Sequence, residues 1–202
     1  ALVLTLVGCE TYAPPFPEGQ GQARNLPSYP SGPFGTTKGS VIRNYSLIGM
    51  PSPDDSKSAV SMGLQDFYDP TGEGVFPEGS PYGEGPLPKA LLITLGATWC
   101  GPCKEEAENV LPELYASLRP TGAQFLFVLV EGDPGSPATE ANLGAWVNAF
   151  DSSWPQAIDP SQDFRSAYGT SFPINLVVDP KTMTIVELRT GLLTGEDDPI
   201  IE

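Results

Sequence analysis

Two thiols are set two residues apart in "ATWCGPCKEE", Ala97 to Glu106, within a chain of 202 residues that has three cysteines and no histidine. Without imidazole, Ser-His-Asp and Cys-His catalysis, c-type haem attachment and the commonest zinc, copper and iron ligand sets are excluded. A thiol pair that lacks other soft ligands nearby makes a poor metal site but a complete redox couple. The flanks say how it would be activated. An apolar run ends at Ala97 and a charged helix begins after Cys100, so Cys100 sits where unpaired helix amides and the helix dipole stabilise an anion, doing the work a histidine would otherwise do. Pro102 fits the first helical turn, where its missing donor is an orphan anyway. Cys103 then lies one turn on, placed to resolve a mixed disulfide formed at Cys100. The bland readings are a static disulfide, rarely built at a helix start after a strand, and half of a zinc site, for which no partner pair exists. No metal or cofactor is expected beyond the redox-active Cys100–Cys103 pair.

The elements that must carry this pair are legible on both sides of it. "ALLITLGA", Ala90 to Ala97, and "AQFLFVLVEG", Ala123 to Gly132, are continuous apolar runs suited to strands covered on both faces. Between them Ala107, Val110, Leu111, Leu114, Tyr115 and Leu118 recur at three and four residues and define one helical stripe, which Pro112 should kink. "TEANLGAWVNAF" reads as a second helix capped by Thr139, "SQDFRSAYG" as a short helix stopped by Gly169, and "INLVVD" with "MTIVELR" as an antiparallel hairpin. A dithiol beside such a βαβ pattern reads as a redox motif. A right-handed crossover puts it at the C-terminal edge of a strand, where open α/β sheets bind ligands.

Upstream, "SVIRNYSLIG" and "GLQDFYD" read as two edge strands, and Asp69 to Pro88 as a solvated Gly/Pro loop whose acids lack calcium-loop spacing. Residues 10–39 are Pro, Gly, Ser and Gln with scattered aromatics and read as a tether. The expected organisation is residues 1–39 as leader remnant and tether, then residues 40–202 as one α/β domain. A formal net charge of −15, from 25 acidic and 10 basic residues, repels phosphates, so nucleic acid is not an expected partner.

Trp99-Cys100-Gly101-Pro102-Cys103 closely resembles the signature of the thioredoxin superfamily, and the resemblance runs from about Ser40 to the C-terminus. It implies a thioredoxin-like fold: a central mixed β-sheet flanked by helices, here with extra N-terminal strands. It also implies a thiol:disulfide oxidoreductase with Cys100 as nucleophile, Cys103 as resolving thiol, and protein disulfides as substrates, gripped by Trp99, Gly101, Pro102, Phe172 and Pro173. Pro173 in "TSFPINLVVD" matches by position the family's cis-proline. Leu6-Val7-Gly8-Cys9 resembles a bacterial lipobox, with Cys9 the lipidated residue. Together with the N-terminal strands this looks most like the membrane-anchored TlpA/ResA-like branch, which implies a lipid-anchored, envelope-facing protein and an envelope electron donor.

In that branch a glutamate three residues after the second cysteine stands beside the disulfide, and Glu106 matches it; the spacing shares a helix face with Cys103, while Glu105 is turned away. Departures are Thr94 in place of the buried Asp of thioredoxins, a helix proline nine residues after Cys103, and no obvious last helix after "TGLLTGEDDP". A non-catalytic binding module that uses the cis-proline groove is the alternative; a thiol peroxidase is weaker, since no peroxidatic Pro-and-Thr motif precedes Cys100.

Overall fold

The structure, a computed structural model, describes residues 26–52 and 58–201. Cys9 and its apolar run lie outside the described residues. One seven-stranded mixed sheet organises the chain: β1 (Ser46–Met50), β2 (Val60–Gly63), β3 (Ala90–Ala97), β4 (Ala123–Glu131), β5 (Gln156–Ile158), β6 (Ile174–Asp179) and β7 (Thr184–Thr190), in the order β2-β1-β5-β4-β3-β6-β7. β3, β4 and β5 are parallel at its centre; the N-terminal hairpin closes one side and the β6–β7 hairpin the other, all antiparallel.

The two apolar runs are strands because both faces of the sheet are covered. Leu91, Ile93 and Leu95 alternate with Leu92 along β3, facing two separate cores. One core joins Leu126, Val128 and Leu176 to Ile42, Tyr45, Phe67 and Phe164; the other joins Phe125, Phe127 and Leu129 to Leu111, Leu114, Leu143, Trp146 and Trp154. The crossover helix supplies the second. It begins as α1 (Gly101–Glu105), widens into a π-helical turn at Glu106–Val110 and resumes as α2 (Leu111–Leu118). The irregularity thus falls one turn before Pro112, not at it. Proline cannot donate back into the preceding turn, and the widened turn lets Pro112 occupy the start of a fresh α-helical segment, where no donor is required. Thr139 caps α3 (Glu140–Phe150) through a reciprocal pair with Asn142, and α4 (Asp163–Tyr168) ends at Gly169.

Several expectations change. "GLQDFYD" is not a strand: Leu64–Phe67 is a 3₁₀ turn, its start held by the Gly63 amide on Asp66 Oδ2 at 3.0 Å, and the spacing of three buries both Leu64 and Phe67. Nor is β1 an edge strand, since it pairs with β5, a three-residue strand too short to show a pattern. The tether reading over residues 10–39 does not hold for its last part. Tyr29 donates to the Ile42 carbonyl at 2.9 Å and packs its ring on Tyr68, and Gly35 pairs with Val41, so residues 26–39 lie on the domain. The Asp69–Pro88 loop is likewise not simply solvated. Asp69 is buried and accepts from Thr71, Gly72 and Gly74, while Phe76 and Tyr82 stack. Residues 191–201 form turns that bury Leu193 and Ile200 in the helix-side core. Among the described residues no helix is long and apolar enough to cross a membrane.

The β1–β5 seam leaves no room at Gly49, where a Cβ would sit 2.4 Å from the Gln156 carbonyl oxygen and 2.8 Å from the Ala157 Cβ. Gly49→Ala is expected to destabilise the fold by about 1–3 kcal/mol, read as a lower urea midpoint with an unchanged slope.

Candidate active site

β3 delivers its C-terminal edge into the dithiol through a register shift against β4 between Gly96 and Ala97, a device that re-aims a strand end. Gly96 is required at that place: a Cβ would meet Phe127 Cζ at 2.5 Å and Cys103 Cβ at 3.4 Å. Cys100 is the cap residue of α1, with extended backbone, and its sulfur accepts the Cys103 amide at 3.1 Å. The two cysteines are joined as a disulfide. Cys103 is fully enclosed whereas Cys100 keeps 4% of its surface, so an approaching sulfur reaches Cys100 first. A helix-start amide aimed at that sulfur stabilises its thiolate when the bond is open.

Around the pair the structure gathers the remaining sequence candidates. Gly101 and Pro102 are exposed beside it. The β3–β6 register, Leu95 opposite Ile174, brings Pro173 to the same edge of the sheet; the Phe172–Pro173 peptide is cis, and the Pro173 carbonyl accepts from Gly191 at 2.8 Å. Trp99 is 44% exposed, its ring 6.1 Å from that of Phe172, so the two aromatics form an apolar wall at the rim. Glu131, a residue sequence reasoning missed, holds that wall. Its Oε2 accepts from the Trp99 indole at 3.2 Å and from the Gly135 amide at 3.0 Å, and its Oε1 from Arg165 at 2.6 Å. Burial pushes this carboxyl up, but the Gly135 amide, Arg165 and Trp99 outweigh it and hold it below the ordinary glutamate range. The available signal was an acid ending an otherwise apolar strand.

Glu106 opens the π-helical turn one turn beyond Cys103 and is completely buried, whereas Glu105 is exposed and accepts from Asn109. Its Oε1 accepts from the Leu193 amide at 2.8 Å and from Asn175 Nδ2 at 3.0 Å; its Oε2 is buried with no hydrogen-bond partner among the described residues. Burial pushes the carboxyl from 4.5 up to about 7, against the Leu193 and Asn175 donors that favour its charged form; Asp198 adds to the rise and Arg189 opposes it. Asn175 was also missed; it shows in sequence only as one polar residue inside the apolar run "INLVV". Thr94 donates to Asn175 Oδ1 at 2.7 Å. Among the described residues no cluster of His, Cys, Asp and Glu suits a metal ion.

A carboxyl whose folded pKa lies above its unfolded one binds its proton more tightly in the folded chain. Its contribution to stability is intact below the unfolded value, falls as pH rises, and is lost above about 7. Glu106→Gln, which keeps an acceptor for Leu193 and Asn175, should therefore match the wild type near pH 4 and exceed it above pH 7, by an amount on the order of 3 kcal/mol. Urea denaturation of the oxidised proteins across that range checks it; a pH-independent difference contradicts a buried titrating carboxyl.

No family model matches the chain. The thiol-disulfide oxidoreductase ResA of Geobacillus thermodenitrificans is 29% identical over 110 residues, which are 54% of this chain and 59% of that protein. ResA of Oceanobacillus iheyensis is 26% identical over 107 residues, 52% of each. The chain therefore spans a little over half the length of the curated relatives it matches. Among solved structures, a candidate thiol:disulfide interchange protein DsbE from Chlorobium tepidum superposes with a TM-score of 0.51 at 17% identity, over 83% of this chain and 89% of that one. The fold is therefore thioredoxin-like, and over about half of its length the chain is similar in sequence to ResA thiol-disulfide oxidoreductases.

Proposed function

We propose that the protein is a thiol:disulfide oxidoreductase that reduces protein disulfides. The observation that carries the reading is Cys100 at the helix start, its sulfur facing the Cys103 amide, with a cis-proline at the same sheet edge and a buried carboxyl one turn away. The Cys100 thiolate attacks a substrate disulfide, forming a mixed disulfide and expelling one substrate thiolate, which takes a proton from water. Cys103 then gives its proton to the Glu106 carboxylate and attacks the Cys100 sulfur. The second substrate thiolate leaves, and the Cys100–Cys103 disulfide remains. Two electrons pass from the dithiol to the substrate. Glu106 suits the proton step because a pKa of about 7 lets it accept and release near neutrality. The apolar wall of Trp99 and Phe172 suits an unfolded or extended peptide beside its disulfide.

The similarity to ResA supports this chemistry, and the Leu6-Val7-Gly8-Cys9 run supports its setting. The protein is held at an envelope membrane by a lipid on Cys9 and is re-reduced there by an envelope electron donor. An oxidising compartment would otherwise leave the pair as a disulfide.

Cys103→Ser should trap mixed disulfides with substrate proteins and Cys100→Ser should not, with insulin reduction lost in both. Equal trapping by the two variants removes Cys100 as the nucleophile. Absence of insulin reduction by the reduced wild type, with peptide binding retained, indicates a binding module instead. For the anchor, the full-length precursor should partition into detergent and its Cys9→Ala form into water, compared by phase separation.

A further inference from the structure

The buried carboxyl of Glu106 is held by side chains that the exchange chemistry does not itself use. Asn175 is completely buried on β6, and its amide faces acceptors on one side only: Nδ2 donates to Glu106 Oε1 at 3.0 Å and to the Gly191 carbonyl at 3.3 Å. A backbone carbonyl can only accept, so that side must carry the NH₂ group. Oδ1 is thereby turned toward β3, where only a donor satisfies it, and the Thr94 hydroxyl donates to it at 2.7 Å. On the far side, Glu106 Oε1 is filled by Asn175 and the Leu193 amide, while Oε2 has no partner among the described residues. The proton that Glu106 takes up therefore belongs on Oε2, one helical turn from Cys103.

We propose that Thr94 and Asn175 are positioning residues for Glu106: the Gly191 carbonyl sets which way the Asn175 amide points, Thr94 holds it there by donating to Oδ1, and Asn175 in turn fixes which carboxyl oxygen is free to carry the proton. The proposal rests on Glu106 being the proton-handling group of the exchange. It also gives Thr94, which cannot act as a base, a role at the place where thioredoxins carry an acid. The charged and titratable groups set against Glu106 are Cys103 of α1, Arg189 of β7 and Asp198 of residues 191–201, and the last two are paired with each other. β3 and β6 contribute the uncharged Thr94 and Asn175. The hydroxyl and amide thus regulate Glu106 without adding charge next to a developing Cys103 thiolate, which a buried aspartate at position 94 would oppose.

The sign follows from the hydrogen bonds. Asn175 donates to the charged form, so its loss favours the neutral acid and moves the titration to higher pH. Loss of the Thr94 hydroxyl strands Oδ1 in the interior and loosens the same donor, with a smaller shift in the same direction.

The test is a carboxyl ¹³C NMR titration of the oxidised full chain labelled at glutamate, with the Glu106 resonance identified by its disappearance in Glu106→Gln. We expect the Glu106 midpoint to rise by about one pH unit in Asn175→Leu, by a smaller measurable amount in the isosteric Thr94→Val, and to return in Thr94→Ser. The pH profile of Cys103 alkylation in a reduced Cys100→Ser background should move in parallel. Should Asn175→Leu fail to fold, the Thr94→Val and Thr94→Ser pair decides, since the two differ in whether the hydroxyl is present. An unchanged Glu106 midpoint in Thr94→Val, or an equal shift in Thr94→Ser, overturns the proposal. The titration needs no exchange activity, so a wild type that fails to reduce insulin would sink the functional reading while leaving this measurement to stand or fall alone.

Discussion

A carboxyl group in a dry interior is costly unless donors are brought to it, and much of the site can be traced to how Glu106 is provided for. Its own helix cannot supply both donors. One comes from β6, which must therefore lie beside β3, and the other from Leu193, which requires the chain after β7 to turn back over the helix face. That return is itself anchored by a second buried carboxylate: Asp198 pairs with Arg189 and accepts from Thr194 and Ile200. Burial would raise the Asp198 carboxyl, but these donors outweigh it and hold it below the ordinary aspartate range. The two carboxyls are opposites in kind. Asp198 has donors on both oxygens and stays ionised as a fastener, whereas Glu106 has them on one oxygen and is left able to change its charge.

The other flank of the dithiol is built on the same economy of donors but to a static end. Glu131 is satisfied on both oxygens by the Trp99 indole, the Gly135 amide and Arg165, and so ties three separate stretches of chain together. An aromatic side chain that is nearly half exposed would ordinarily sample several rotamers; this one is tied at its indole. Under the proposed function, such a rigid aromatic surface beside the dithiol would favour partly unfolded chains over well-packed ones. Such chains expose apolar segments near their disulfides.

What the sequence reveals of this site depends on how far apart the partners are along the chain. The dithiol, β3, β4 and the Thr139-capped helix are readable because their signals lie within a few residues: an apolar run, a spacing of three and four, a capping pair. Glu106 is readable by its helical offset from Cys103. Its partners are not, because Asn175 is 69 positions away and Leu193 is 87, and nothing in a single polar residue within "INLVV" says which acid it will meet. Glu131 meets Trp99 across 32 positions for the same reason. β5 is silent because three residues carry no period, and "GLQDFYD" misleads because its aromatic residues suggest a strand, whereas the spacing of three between the buried Leu64 and Phe67 suits a 3₁₀ turn. The stretch of residues 26–39 reads as tether by composition, yet Tyr29 and the backbone bonds of Gly35 and Gly39 give it anchors that composition does not register.

The placement of Leu193 also bears on how the molecule is made. Chains are synthesised from the N-terminus and domains settle as their parts emerge. Cys100 and Cys103 leave the ribosome ahead of β6 with Pro173 and Asn175, and ahead of the Leu193 amide, so the thiols exist for a time beside a carboxyl that lacks both its donors and its cover. In that interval Glu106 is solvated and behaves as an ordinary acid, and the cysteines are open to any oxidant or thiol nearby. The tuned pair comes into being only when residues 191–201 fold back over the helix, so a reactive nascent dithiol becomes a guarded one only after the stretch that carries Leu193 has been made.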